Sequence, residues 1–270
     1  MIRSNMRIIV CIKQVPDTNE FKIDLETGIM IREGLPCVMN PDDKNALEEA
    51  LRLKDEYNAE VIALTMGPLQ AKDVLKEAMA MGADEVILIS DLPFAGSDSL
   101  ATAAILAAAI ERIGHYDMIL CGMQAMDGNT GQTGPQLAEL LNIPQITYLK
   151  ELNIIDNTVT ATKWTESEKY TFKLNMPVLL TVNNELNDPR IPTMMGVMKA
   201  YDEAGEKKIK VWGANDLDID IEQVGIKGSV TNMYESCLTH INRVSTIIEG
   251  EDEKEMAKSL AMKLSELNLI

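Results

Sequence analysis

The 270-residue chain suits one large domain or two small ones, and an apolar content of 46% is ample for a core although aromatic residues make up only 4%. Ala, Leu, Ile, Val and 17 Met must therefore fill the interior; Met packs irregular gaps and is also frequent at adaptable binding surfaces. A formal net charge of −17 opposes nonspecific binding of nucleic acid or anionic lipid, and no apolar run reaches the roughly 18 residues that would suggest membrane insertion.

The first residues show no charged leader with a cleavage site and run straight into a β-branched, apolar stretch, residues 7 to 12, which predicts a buried strand. Residues 17 to 31 are polar and broken by Gly28, predicting a loop with a short hairpin. Asn40-Pro-Asp-Asp43 then opens a helix: Asn40 suits the N-cap, Pro41 the first helical position, and two aspartates favour the positive helix start. Leu47, Ala50, Leu51 and Leu53 mark the buried stripe that follows. Residues 61–65 predict a strand, Gly67-Pro68 a break, 71–81 a helix closed by Gly82, and 85–89 a strand. Ser97 or Asp98 can cap a helix through Ile113, and 117–121 is a further strand. Strands alternating with helices of this length mean right-handed crossovers and a parallel sheet.

The next loop, Gly122-Met-Gln-Ala-Met-Asp-Gly-Asn-Thr-Gly-Gln-Thr-Gly-Pro135, is the richest signal in the chain. Its glycines run GxxGxxG from Gly128, neither GxGxxG nor a Walker loop. Spacing alone leaves two readings open: a phosphate cradle of bare N–H groups at a helix start, or an ordinary strand-to-helix turn. The loop joins three other candidate strand-end junctions, Lys13 to Asp17, Asn40 to Asp43 and Met66 to Pro68. In a doubly wound sheet such loops converge on a crevice. Lys13 is a candidate phosphate partner, and equally a solvated lysine at a strand end.

After Pro144 the pattern changes to partly alternating strands at 145–149, 158–163 and 169–173, with Asp156-Asn157 as a hairpin turn, followed by a buried strand at 177–182. Residues 183–205 read as a polar loop containing Met194, Met195, Val197 and Met198, either core packing or an exposed anchor for a partner. Residues 206–250 are weakly patterned, and 251–267 predicts an amphipathic helix. The expected division is an α/β nucleotide-binding domain, 1–205, and a C-terminal arm plus helix, 206–270, that packs on something else. Cys11, Cys37, Cys121 and Cys237 lie far apart, as in a reduced, cytoplasmic protein. They make no metal-ligand spacing with His115 and His240. No Ser-His-Asp set, HExxH or paired-acid arrangement occurs, so any reactive chemistry belongs to a bound cofactor.

Val10-Cys-Ile-Lys-Gln-Val-Pro-Asp17, residues 38–54 from Val-Met-Asn-Pro-Asp-Asp-Lys onward, Met66-Gly-Pro68, Ala78-Met-Ala-Met-Gly-Ala-Asp84 and the Gly122–Pro135 loop together resemble the β subunit of electron-transfer flavoprotein. Asn187 to Ala200 is similar to that family's partner-recognition segment. The resemblance implies a doubly wound, mostly parallel α/β sheet of the adenine-nucleotide α-hydrolase-like kind, with added antiparallel strands. It also implies a heterodimer with an α subunit that carries FAD. By that likeness the cofactor-binding positions are Cys11, Asn40, Pro41, Asp42, Asp43, Met66, Asp127, Gly128, Asn129, Thr130, Gly131, Gln132, Thr133, Gly134, Pro135, Gln136, Leu137 and Ala138, and the partner-binding positions are Pro189, Arg190, Met194, Met195 and Met198. One branch of the family places AMP at the nucleotide site. The other places a second FAD there, oxidises NADH, and bifurcates electrons to a flavin-dependent dehydrogenase and to ferredoxin or flavodoxin. Ile12 to Asp17, Arg32-Glu-Gly34, Asn40 to Asp43 and Ala125 to Pro135 resemble the bifurcating branch, although Asn129, Gly131 and Thr133 replace that branch's usual Asp, Ala and Val. An adenine-nucleotide-binding regulatory module is the competing reading from another class.

Overall fold

The computed structural model describes residues 6–17, 22–23, 30–31, 36–165, 167–231 and 245–270. Arg32 to Gly34, Cys237 and His240 lie outside the described residues. The chain divides into two compact units, Met1–Tyr234 and Glu235–Ile270.

In the first unit the chain forms strands β1 (Arg7–Cys11), β2 (Gln14–Pro16), β3 (Lys22–Ile23), β4 (Met30–Ile31) and β5 (Cys37–Met39). Helix α1 (Pro41–Tyr57) and strand β6 (Glu60–Met66) follow. The βα alternation continues through α2 (Lys72–Met81), β7 (Glu85–Ile89), α3 (Ser99–Ile113), β8 (Met118–Gly122) and α4 (Thr133–Leu140). Then come β9 (Gln145–Ile155), β10 (Thr158–Trp164), β11 (Lys169–Asn175) and β12 (Val178–Val182), followed by short helices α5 (Met194–Ala200) and α6 (Glu203–Glu206), β13 (Lys210–Trp212) and α7 (Gly225–Gly228).

Nine strands make one sheet in the order β11-β10-β9-β12-β8-β1-β6-β7-β13. Its β9-to-β13 portion is parallel, while β9, β10 and β11 extend it as an antiparallel meander. Strands buried on both faces need apolar side chains at successive positions. Accordingly Ile8, Val10, Met118 and Leu120 join Leu47, Leu51 and Leu75 in one core, and Ile9, Ile119 and Cys121 join Ala103, Ile110 and Leu137 in the other. The chain runs outward from β1 through β6 and β7 on one side, then returns to β8 on the other. The junction of β1 and β8 is therefore the topological switch point, where open α/β sheets bind ligands beyond the strand carboxyl ends.

Several expected details hold. Asp98 caps α3 by accepting from the Ala101 N–H at 2.9 Å, Gly82 closes α2 at φ 129°, and Asp156 turns the β9–β10 hairpin at φ 56°. The short hairpin expected within 17–31 is the β3–β4 pair.

Three details differ. Asn40 occupies the N-cap of α1 but makes no cap hydrogen bond, because its side chain is engaged by another loop. Residues 194–200, expected in a polar loop, form α5, capped by Thr193 Oγ1 accepting from Gly196 N–H at 3.0 Å. Residues 210–212, beyond the expected boundary at 205, pair with β7 as the sheet's edge strand.

In the second unit, Asp252 caps helix α8 (Glu253–Glu266), which has no buried residue and exposes Met256, Leu260 and Met262. Among the described residues no helix is long and apolar enough to cross a membrane.

Candidate functional site

Three of the four candidate loops are knitted together at the switch point. The Asn40 N–H donates to Lys13 O at 2.8 Å. The Asn40 amide donates to Gln124 O at 2.8 Å and accepts from the Met126 N–H at 3.0 Å. Asp43, in the first turn of α1, accepts from the Lys13 N–H at 2.8 Å through Oδ2 and from the Gly122 N–H at 3.0 Å through Oδ1. One carboxylate thus fastens the ends of both β1 and β8. Gly122 has to be glycine here: a Cβ would overlap Asp43 Oδ1 and lie 2.8 Å from the Asp43 nitrogen. The fourth junction is tied to β7, where Gly67 N–H donates to Ile89 O at 3.0 Å.

Burial drives the Asp43 carboxyl up from its ordinary 3.8 to about 7. Hydrogen bonds from Asn40, Lys13 and Gly122 and the charge of Lys13 oppose that rise without cancelling it. Asp42 is also raised by burial, opposed by a backbone hydrogen bond from Gln124. Lys13, the candidate phosphate partner, reaches Asp127 Oδ1 at 2.6 Å; the carboxylate is 3% exposed and the lysine 42%. That half-exposed ion pair contributes little to stability, but it sets the position of the lysine head beside the glycine loop.

Beyond Asp127 the loop opens. Asn129 and Gly131 are left-handed, at φ 48° and 62°, a conformation glycine adopts freely and asparagine tolerates. Gly128 faces open space, whereas a Cβ on Gly134 would come within 2.8 Å of Thr181 Cγ2. Among the described residues, the backbone N–H groups of Thr130, Gly131, Gln132, Thr133 and Gly134 have no protein acceptor. They crowd the start of α4, where the helix dipole adds roughly +0.5 e. Gln136 places a buried Oε1 there without a hydrogen-bond partner, and Ser99 Oγ donates to Gln132 Oε1 at 3.3 Å.

Cys11, Asn40 to Asp43 and Asp127 to Gln136 therefore assemble at one place. Met66 borders them at the end of neighbouring β6. Leu137 and Ala138 do not belong to the open part: both are wholly buried in the core under α4. The chain sequence did not single out Ser99 or the clamp between Asp43 and Gly122. A glycine at the last position of a strand is the one sequence signal that marks the latter. Among the described residues no group of His, Cys, Asp and Glu could hold a metal ion.

The partner segment is fastened to α1. Arg190 grips Glu48 through Nε to Oε2 at 2.9 Å and Nη2 to Oε1 at 3.0 Å, and reaches Asp55 at 2.9 Å. Asn45 Nδ2 donates to Asn187 O at 2.6 Å. Pro189 lies within this strap, half-buried. Past it, Met194, Met195 and Met198 on α5 are 77%, 61% and 63% exposed, so the solvent-facing alternative describes this group.

Fold and site together define a doubly wound α/β protein with its loops gathered at the β1–β8 switch point. The family model for the electron transfer flavoprotein domain matches residues 27–217. The chain is 44% identical over 265 residues to the electron transfer flavoprotein subunit beta of Clostridium acetobutylicum, covering 98% of this chain and 100% of that one. It is 45% identical over 266 residues to the caffeyl-CoA reductase-Etf complex subunit CarD of Acetobacterium woodii, with the same coverage. Identity to the acryloyl-CoA reductase electron transfer subunit gamma of Anaerotignum propionicum is 39% over 272 residues, again covering 98% and 100%. The chain belongs to the electron transfer flavoprotein family, as a β-subunit-type member.

Proposed function

We propose that this chain is the β subunit of a cytoplasmic, heterodimeric electron transfer flavoprotein, holding FAD in the loop junction at the β1–β8 switch point so that the complex oxidises NADH and bifurcates its electrons. The observation that carries the reading is the run of unpartnered N–H groups from Thr130 to Gly134, opened by left-handed Asn129 and Gly131. A diphosphate suits uncharged backbone donors at a helix start. The orphaned Gln136 Oε1 adds a buried acceptor that a ligand hydroxyl or amine can satisfy. The residues present thus fit a dinucleotide.

Gly128 to Pro135 would hold the diphosphate, Lys13 would lend positive charge, and Asp43 would keep the loops in register without touching the ligand. When bound, FAD supplies acceptance of a hydride and release of two electrons along separate routes, one to the α-subunit FAD and a flavin-dependent dehydrogenase, the other to ferredoxin or flavodoxin. No residue of the junction is a nucleophile or an acid–base pair for the reaction. The protein's part is placement, charge and exclusion of water. The names of the relatives, which associate them with caffeyl-CoA reductase and acryloyl-CoA reductase, support a place beside such a dehydrogenase. The exposed methionines of α5 are the surface proposed to meet it.

Cofactor content tests the reading. The copurified heterodimer, denatured and separated by chromatography, should yield two FAD and no AMP, and NADH should bleach its flavin absorbance. One FAD with one AMP, and no response to NADH, overturns it in favour of a carrier that keeps AMP as a structural ligand.

A further inference from the structure

Two of the four cysteines, 110 positions apart in sequence, meet at the switch point. Cys11 ends β1 and Cys121 is the penultimate residue of β8, and the two are direct partners in the parallel register. Neighbouring Cα atoms across such strands stand about 4.8 Å apart, inside the roughly 4.4–6.8 Å window that a disulfide spans. Side chains alternate faces along a strand, and both thiols belong to the face covered by α3 and α4: Cys121 is part of that core and Cys11 packs against it. The two side chains thus face each other across adjacent strands on one side of the sheet, so no rearrangement of the sheet is needed to bring sulfur to sulfur. Cys121 is 7% exposed and Cys11 is half-buried. An oxidant therefore reaches Cys11 first.

We propose that Cys11 and Cys121 form a redox-sensitive dithiol at the floor of the loop junction, which a peroxide closes to a disulfide. In the first step the Cys11 sulfur attacks one peroxide oxygen, the O–O bond breaks, water leaves, and Cys11 becomes a sulfenic acid. In the second step the Cys121 sulfur attacks the Cys11 sulfur, the S–O bond breaks, and a second water leaves with the Cys121 proton. Two thiols have lost two electrons and two protons, and one peroxide has become two waters. The hydrogen bond to Cys11, then burial, then the charges of Cys11 and Asp43 hold the Cys121 thiol well above the ordinary range. Cys121 therefore waits as the protonated, resolving member, in contact with its target. Closure would lock the ends of β1 and β8 directly beneath Lys13 and Gly122, the two backbone donors to Asp43. The inference rests on strand register and does not depend on which nucleotide the junction takes.

Peptide mapping of the intact complex decides it. The complex is treated with hydrogen peroxide, its free thiols are alkylated, and it is digested without reductant. The expected product is a linked peptide pair joining Cys11 to Cys121, lighter than the summed free peptides by two hydrogens, abolished by dithiothreitol and absent from Cys121→Ser. Separate alkylation of Cys11 and Cys121 after oxidation, or links that run only to Cys37 or Cys237, overturns the proposal. A parallel arm oxidises the complex after its nucleotide has been stripped. Faster closure of the same link than in the loaded complex supports a nucleotide over Cys11, while an equal rate counts against the nucleotide reading and leaves the dithiol supported by the link itself.

Discussion

Asp43→Asn should change how stability depends on pH. The native carboxyl titrates at about 7, against 3.8 for an ordinary aspartate, because burial outweighs the hydrogen bonds it receives. Between those two values the folded chain keeps a proton that the unfolded chain releases. Stability therefore falls as pH rises through this window, and the fall is complete above the folded value. Each pH unit is worth about 1.36 kcal/mol, so the stretch from pH 5 to 7 corresponds to roughly 2.7 kcal/mol. Asparagine fills the same space and does not titrate. The unfolding free energy of the native protein minus that of the variant should thus decline by about 2–3 kcal/mol between pH 5 and pH 7.5. Urea denaturation followed by circular dichroism at half-unit pH steps measures it. Parallel curves for the two proteins across that range would refute the argument that desolvation governs this carboxylate.

Gly122→Ala should displace Asp43 and cost about 1–3 kcal/mol, the usual range for overpacking. Gly128→Ala, whose Cβ meets nothing within 4 Å, should leave the urea midpoint unchanged, and equal midpoints for the two variants would contradict the clamp. Met194→Ala should slow electron delivery to the dehydrogenase in stopped-flow assays while cofactor content stays constant. At 77% exposure its effect on stability should stay within about 0.5 kcal/mol, and unchanged transfer rates would remove α5 from the docking surface.

The parallel half of the fold was legible because its strands are buried on both faces and read as continuous apolar runs. The strand at 85–89 and the helix ending at Gly82 come straight from such patterns. What escaped is what lacks an inner stripe. Helix α5 shows solvent Met194, Met195 and Met198 and buries only Ala200, so no apolar period announces it. It lies so close to α2 that a Cβ on Gly196 would overlap the Ala80 carbonyl oxygen, a fit that needs tertiary contact to be seen. Strand β13 is three residues long with two of them exposed. At the site, the glycine loop was visible as composition, and Asn40 as a helix start. That Asn40 would reach Gln124 and Met126 depends on a loop more than eighty residues away, and local sequence carries no trace of it. Asp43 read as a residue suited to the helix dipole, yet its neighbours across the sheet make it a fastener.

Helix α1 is a 17-residue rod. Asp43 clasps the strand ends at its tip, and Asn45 and Glu48 grip Asn187 and Arg190 within the next two turns. Five residues, about 7.5 Å of helix, separate Asp43 from Glu48. The loop junction and the strap that leads to the exposed methionines are thus fastened to the same stretch of one helix.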